Sequence, residues 1–161
     1  MTRRRIPMEI SLGDPLPALR RVGRPVADSD REGLAILLYS SFRETVDDEG
    51  ETYEDARAEV DALFAGRYGT FLADRSFALE DGEFLASACL VTWFVPHAAP
   101  LVVFSMTRPE YRRLGMARSL LLQSAHSLRA HGDDRLTLII TEGNTPAEKL
   151  YASLGFRPIS P

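Results

Sequence analysis

The chain has 161 residues, 45% of them hydrophobic, and a formal net charge of -4: enough for one well-buried core and too short for two full domains. The acidic balance argues against a nucleic-acid binder, which needs a basic face. No apolar run is long enough to span a bilayer and Arg3 to Arg5 lead into no continuous apolar signal segment, so a cytoplasmic protein without membrane attachment is expected.

Residues 1–15, Arg-rich and then punctuated by proline, read as an extension of uncertain order with Met8 to Leu12 as a short edge strand, and residues 16–161 as a single domain. A first strand is expected within Leu19 to Val26, weakened by Gly23 and Pro25. Ser29-Asp30-Arg31-Glu32 is a capping-box sequence, after which Leu34, Leu37, Leu38, Ser41 and Phe42 fall on one helical face. An acidic connection follows, with Glu44, Asp47, Asp48, Glu49 and Glu51 around Gly50. Thr52 then introduces a second amphipathic helix, stopped by Gly66.

From Arg75 the periodicity changes to that of strands: Ser76 to Glu80, an Asp81-Gly82 hairpin signal, Glu83 to Val95, and Leu101 to Thr107. Apolar residues on both alternations imply a sheet covered on both faces, hence an α/β (α+β) domain with a mixed central sheet flanked by helices. Cys89 lies in the longest of these strands. As the only cysteine it excludes a disulfide framework and a cysteine zinc cage, and it reads as packing rather than as a nucleophile. His97, His126 and His131 lack metal-ligand spacing, so no metal is expected, and His131 suits a helix C-terminus.

Thr107 to Ala117, Thr-Arg-Pro-Glu-Tyr-Arg-Arg-Leu-Gly-Met-Ala, joins the last of those strands to an amphipathic helix that ends at Gly132. Free N–H groups at a helix start, with glycine where a ligand must come close, suit a phosphate. With the apolar strand Leu136 to Thr141 this makes a βαβ crossover with parallel strands, and the cradle lies at a strand's carboxyl end. Asn144 to Phe156 is the second informative segment. Thr145 reads as an N-cap, Pro146 as the first helical residue, Glu148 as the capping-box partner and Gly155 as the closing residue, with Ala147, Leu150, Tyr151 and Leu154 inward.

Both segments resemble signatures of the GNAT (Gcn5-related N-acetyltransferase) family. Arg112, Gly115 and Ala117 occupy the defined positions of R/Q-x-x-G-x-G/A, and Asn144 to Phe156 matches N-x-x-A-x-x-L-Y-x-x-x-G-F throughout. The resemblance covers roughly residues 76–159 and implies a GNAT-like acyltransferase fold. It implies acetyl-CoA in a V-shaped opening between two strands, its pantetheine on the backbone of Ser105, Met106 and Thr107. The pyrophosphate would lie on Arg112, Arg113, Leu114, Gly115, Met116 and Ala117, with Asn144 beside the pantetheine arm and Tyr151 toward sulfur as the acid. The implied reaction is direct transfer of an acetyl group to a primary amine of a small molecule or peptide in a ternary complex; the alternative is a catalytically silent acyl-CoA sensor.

No general base is assigned: Glu44, Asp47, Glu83, Glu110 and water all stand as alternatives. The acidic connection reads either as a cationic-amine attractor or as a solvated loop. Many relatives continue into a further strand beyond the position of Ile159. Such a strand is expected to be absent, supplied by the N-terminal segment, or contributed by the partner in a homodimer.

Overall fold

The computed structural model describes residues 3–43, 45 and 47–160. Among them one mixed sheet is built from β1 (Arg5–Ser11), β2 (Arg24–Pro25), β3 (Thr70–Phe71), β4 (Phe77–Asp81), β5 (Phe84–Phe94), β6 (Ala99–Thr107), β7 (Arg135–Thr141) and β8 (Arg157–Pro158). Its order is β2-β4-β5-β6-β7-β1-β8, with β3 also pairing β5. Helices α1 (Arg31–Phe42) and α2 (Tyr53–Phe64) cover one face, and α3 (Met116–Ala130) and α4 (Thr145–Leu154) the other.

Strand alternation divides the core in two. Ala88 and Leu90 of β5 pack with Leu34, Leu37, Val60 and Leu63 of the first helix pair. Cys89 and Val91 point oppositely, against Leu120, Leu121 and Leu128 of α3. Each leucine withdrawn fully from water contributes about 1.5–3 kcal/mol before the entropy of ordering is counted.

The N-terminal segment departs from expectation. Residues 5–11 form no loose extension or edge strand. They are β1, an interior strand antiparallel to β7 along its whole length and to β8 on the other side. Ile6, Met8 and Ile10 recur with period 2 and pack into the α3–α4 core, a signal masked by the arginines and by Pro7. Pro7 lacks an N–H, but its carbonyl accepts from Ile159 N–H at 3.0 Å.

The strand expected in 19–26 shrinks to Arg24–Pro25 because the Gln123 side chain takes both backbone groups of Gly23, at 2.7 and 3.0 Å. At the start of α1, Ser29 and Glu32 form no reciprocal box. A short 3-10 turn precedes the helix, and Asp30 instead accepts from Ala27 N–H at 2.8 Å while gripping Arg24 with both oxygens, at 2.7 and 2.8 Å. The α2 cap is as expected: Thr52 and Asp55 bond each other's backbone N–H groups. The hairpin loop is Gly82-Glu83, one residue later than expected, with the positive φ of 64° carried by Gly82.

Candidate active site

Strands β6 and β7 run parallel but pair only at Leu101 with Thr137 and Val102 with Leu138. Beyond that point the two strands form walls of a cleft of about 980 Å³, which Ser105, Thr141, Asn144 and Tyr151 also line. A bulge explains the separation. Leu90 of β5 faces Phe104 and Val91 faces Val102, so Val103 is an extra residue in β6. Such an insertion bends a strand and breaks its ladder. Val103 and Phe104 both pack toward α1 and α2, whereas Val102 packs toward α3. The alternation is thereby reset, which carries Ser105 to the face that bears α4.

Tyr151, on α4, packs its ring edge-on against Phe156 at 5.7 Å. Burial pushes its hydroxyl up to about 12; nearby Cys89 and Asp47 push the same way, and a hydrogen bond with the Ser105 side chain opposes them. Cys89 sits across the sheet from Ser105, completely buried, and Ser124 Oγ donates to its sulfur at 3.6 Å. Burial raises this thiol to about 12 as well, as expected of a packing residue rather than a nucleophile.

The glycine turn is anchored at its start by Arg108, whose Nε donates to Leu85 carbonyl at 2.9 Å while its guanidinium lies 4.3 Å from the Phe84 ring. Arg112 turns its guanidinium away, donating to Ser41 carbonyl of α1 at 2.7 Å. The backbone then passes through two left-handed residues, Arg113 (φ 65°) and Gly115 (φ 79°). Alternating handedness of this kind makes N–H groups converge into an anion nest. The first helical bond of α3 runs from Ser119 N–H to Gly115 carbonyl, leaving the amides of residues 113–118 without a backbone partner among the bonds observed, whereas Arg112 N–H donates to Pro109 carbonyl at 3.3 Å. A Cβ added to Gly115 would meet nothing within 4 Å, so the space above the turn is open. Leu114 and Gly115 line a second cleft of about 480 Å³ together with Arg20, Arg21 and Arg118.

The expected site residues therefore fall into three settings. Ser105, Asn144 and Tyr151 share the large cleft, and Gly115 and Leu114 face the smaller one. The Met106 side chain is buried against α1 and α2 and its carbonyl accepts from Ser87 Oγ at 2.8 Å, while the half-buried Thr107 exchanges a 2.9 Å hydrogen bond with the same Ser87 hydroxyl. Beyond Val102 the β7-facing edge of β6 has no strand partner, and an extended amide chain could add to it as a strand does. Free edge, open nest and arginine-lined cleft together fit a long, phosphate-bearing, amide-containing ligand.

Asn144, rather than Thr145, caps α4: its side chain accepts from Ala147 N–H at 3.4 Å, and Glu148 reaches back to Gly143 N–H at 3.2 Å. Its amide also donates to Asp47 at 3.5 Å. Of the carboxylates considered as a base, Asp47 lines the large cleft; Glu83 and Glu110 do not, and Glu44 lies outside the described residues. The sequence carried no signal for the Asp47–Asn144 contact or for the approach of Arg20 and Arg21 to Gly115, since both join distant parts of the chain.

Residues 34–156 match the family model described as acetyltransferase (GNAT) family. The chain is similar to mycothiol acetyltransferase of Thermomonospora curvata, 35% identical over 107 residues that cover 65% of this chain and 33% of that protein. It is 30% identical to the mycothiol acetyltransferase of Thermobispora bispora over 79% of this chain and 43% of that one. It thus spans less than half the length of the curated relatives it matches. Among solved structures, a GCN5-related N-acetyltransferase from Sphaerobacter thermophilus superposes with a TM-score of 0.74 at 19% identity, covering 98% of this chain and 49% of that chain. The PaiA N-acetyltransferase of Thermoplasma acidophilum, solved in complex with coenzyme A, gives 0.64 at 16% identity over 83% and 87%. Both show a shared fold.

Proposed function

Because the chain belongs to the GNAT acetyltransferase family, which uses acetyl-CoA, we propose that it transfers an acetyl group from acetyl-CoA to the primary amine of a small molecule or peptide. The observation that carries this reading is the opening between β6 and β7, which exposes a free strand edge and the Tyr151 hydroxyl in one cleft. The β6 backbone at Ser105 to Thr107 would hold the pantetheine amides. The nest from Arg112 to Ala117 would hold the pyrophosphate, and Asn144, which lines the same cleft as Ser105, would stand near the pantetheine arm.

The bound donor supplies an activated acetyl thioester. The protein orients it along β6, and Tyr151 keeps its proton at neutral pH because burial disfavours the phenolate. In the transfer the acceptor, having given its ammonium proton to solvent, bonds through its nitrogen lone pair to the acetyl carbon and the carbon–sulfur bond breaks; the departing sulfur takes the Tyr151 proton, the nitrogen's surplus proton passes to solvent, and solvent reprotonates the phenol. Cys89 takes no part, being buried and protonated.

The acceptors of the mycothiol acetyltransferases, small molecules by their name, favour a small-molecule acceptor here. Thermal unfolding with and without CoA or acetyl-CoA tests the donor, since a ligand selective for the native state raises the transition. Absence of stabilisation by either at millimolar concentration rejects the reading. Thiol release across a panel of primary amines tests transfer, and firm CoA binding with no acceptor turned over would support the silent sensor instead.

A further inference from the structure

Resting on that reading, we propose that Asp47 is the residue that receives the acceptor's amino group, selecting a protonated amine and holding it in the cleft that Tyr151 lines. Asp47 belongs to the connection between α1 and α2, yet it is tied to the opposite wall. Thr141 Oγ1, at the C-terminal end of β7, donates to one carboxylate oxygen at 2.6 Å, and Asn144 Nδ2, capping α4, donates toward the other at 3.5 Å.

Two neutral donors fix the carboxylate without neutralising it. No described basic residue forms an ion pair with Asp47. A carboxylate offers about four acceptor sites, so two hydrogen bonds leave capacity for a ligand. Half-buried at the cleft wall, it presents a negative charge where an ammonium is the complementary partner. Its charge reaches Tyr151, whose ionisation it helps to suppress.

Thr141 and Asn144 matter as much as the carboxylate itself. They come from β7 and α4, the elements that also frame the opening and carry Tyr151, so Asp47 is registered to the donor side of the site rather than to its own loop. Asp48, Glu49, Glu51, Asp55 and Glu59 line the same cleft and outnumber Arg3, Arg5 and Arg43 there, so the surrounding field also favours a cation.

The test uses the full chain, with the best amine found in the panel as acceptor and CoA as the donor-side probe. Asp47→Asn keeps the size and can still accept from Thr141 while losing the charge. Its acceptor KM should rise about 10- to 100-fold, the range of a charge-assisted hydrogen bond, while acetyl-CoA KM and stabilisation by CoA stay at wild-type values. Asp47→Glu should recover part of the acceptor affinity, and Thr141→Val, which frees the carboxylate without removing it, should raise acceptor KM by a smaller factor. Direct titration with the amine, followed calorimetrically in the presence of CoA, should lose its heat in Asp47→Asn. An acceptor KM within twofold of wild type overturns the proposal, as does an equal loss of CoA stabilisation, which would make Asp47 a staple for the donor side. Failure of CoA to stabilise the unmodified chain defeats the underlying reading instead.

Discussion

Replacing Tyr151 by Phe removes one hydroxyl from the floor of the cleft and leaves the ring packed on Phe156. Two costs follow. The polar interaction with the nearby Ser105 side chain is lost, at a stability cost of at most about 1.5 kcal/mol, or up to roughly 6 °C in the midpoint for a chain of this size. The donor to the departing sulfur also disappears, and positioned acids contribute about 10²–10⁴ in rate, equivalent to roughly 2.7–5.4 kcal/mol of activation free energy. The second term should dominate: kcat for CoA release falls at least about 100-fold, while CoA still stabilises the variant. Because the folded hydroxyl ionises at about 12, the native enzyme should show no loss of kcat from this group near pH 10. The sign for stability follows from the same shift. A tyrosine whose ionisation is raised in the folded chain contributes fully below the unfolded value near 10, and that contribution is lost as pH rises through about 12. Thiol release followed by a chromogenic disulfide, at saturating donor and acceptor, measures the rate. A Phe variant turning over within threefold of the native chain would refute Tyr151 as the sulfur's donor.

Other perturbations test the frame. Gly115→Val places a branched side chain at φ 79° and over the open nest, so it should cost about 1–2 kcal/mol in stability, raise acetyl-CoA KM more than tenfold and abolish stabilisation by CoA. In the native state Cys89 should resist thiol reagents at pH 8, since a thiol ionising at about 12 is roughly one part in ten thousand thiolate; labelling should require denaturant. Asp30→Asn should cost about 1.5–3 kcal/mol by urea unfolding at pH 7, having lost the charged grip on Arg24. The Arg24 guanidinium holds the Asp30 carboxyl below the usual carboxylate range, so this stability is present above about pH 4 and lost as pH falls through the folded value. The difference between variant and native chain should therefore narrow in acid.

Local signals carried the helices well, because caps and apolar stripes are written in adjacent residues. Thr52, Gly66 and Gly155 all act where their chemistry places them. The one-residue error at α4, where Asn144 and not Thr145 caps the helix, arose because both are good capping residues and Pro146 suits either of the first two helical positions. Non-local features were hidden. Nothing in Leu101 to Phe104 announces that Val103 will be the extra residue, since a run apolar on both alternations looks the same with or without a bulge. The proposed donor side was legible through Gly115 and Tyr151, which match a known pattern. The proposed acceptor contact depends on which loop reaches Thr141, and that is a property of the assembled sheet.

The place of β1 bears on how the molecule comes into being. Arg5 finds its partner in Thr141 and Ser11 in Arg135, nearly the whole chain apart, and β8 can dock only on β1. Three of the eight strands must therefore wait for the last quarter of the sequence to be synthesised, a high-contact-order closure of the kind that slows folding. During that interval β2 to β6 and their helices can assemble with the β6 edge still bare. The cleft between β6 and β7, whose second wall is β7, is thus among the last parts of the protein to exist, and a chain stalled before Arg135 would hold much of the scaffold without it.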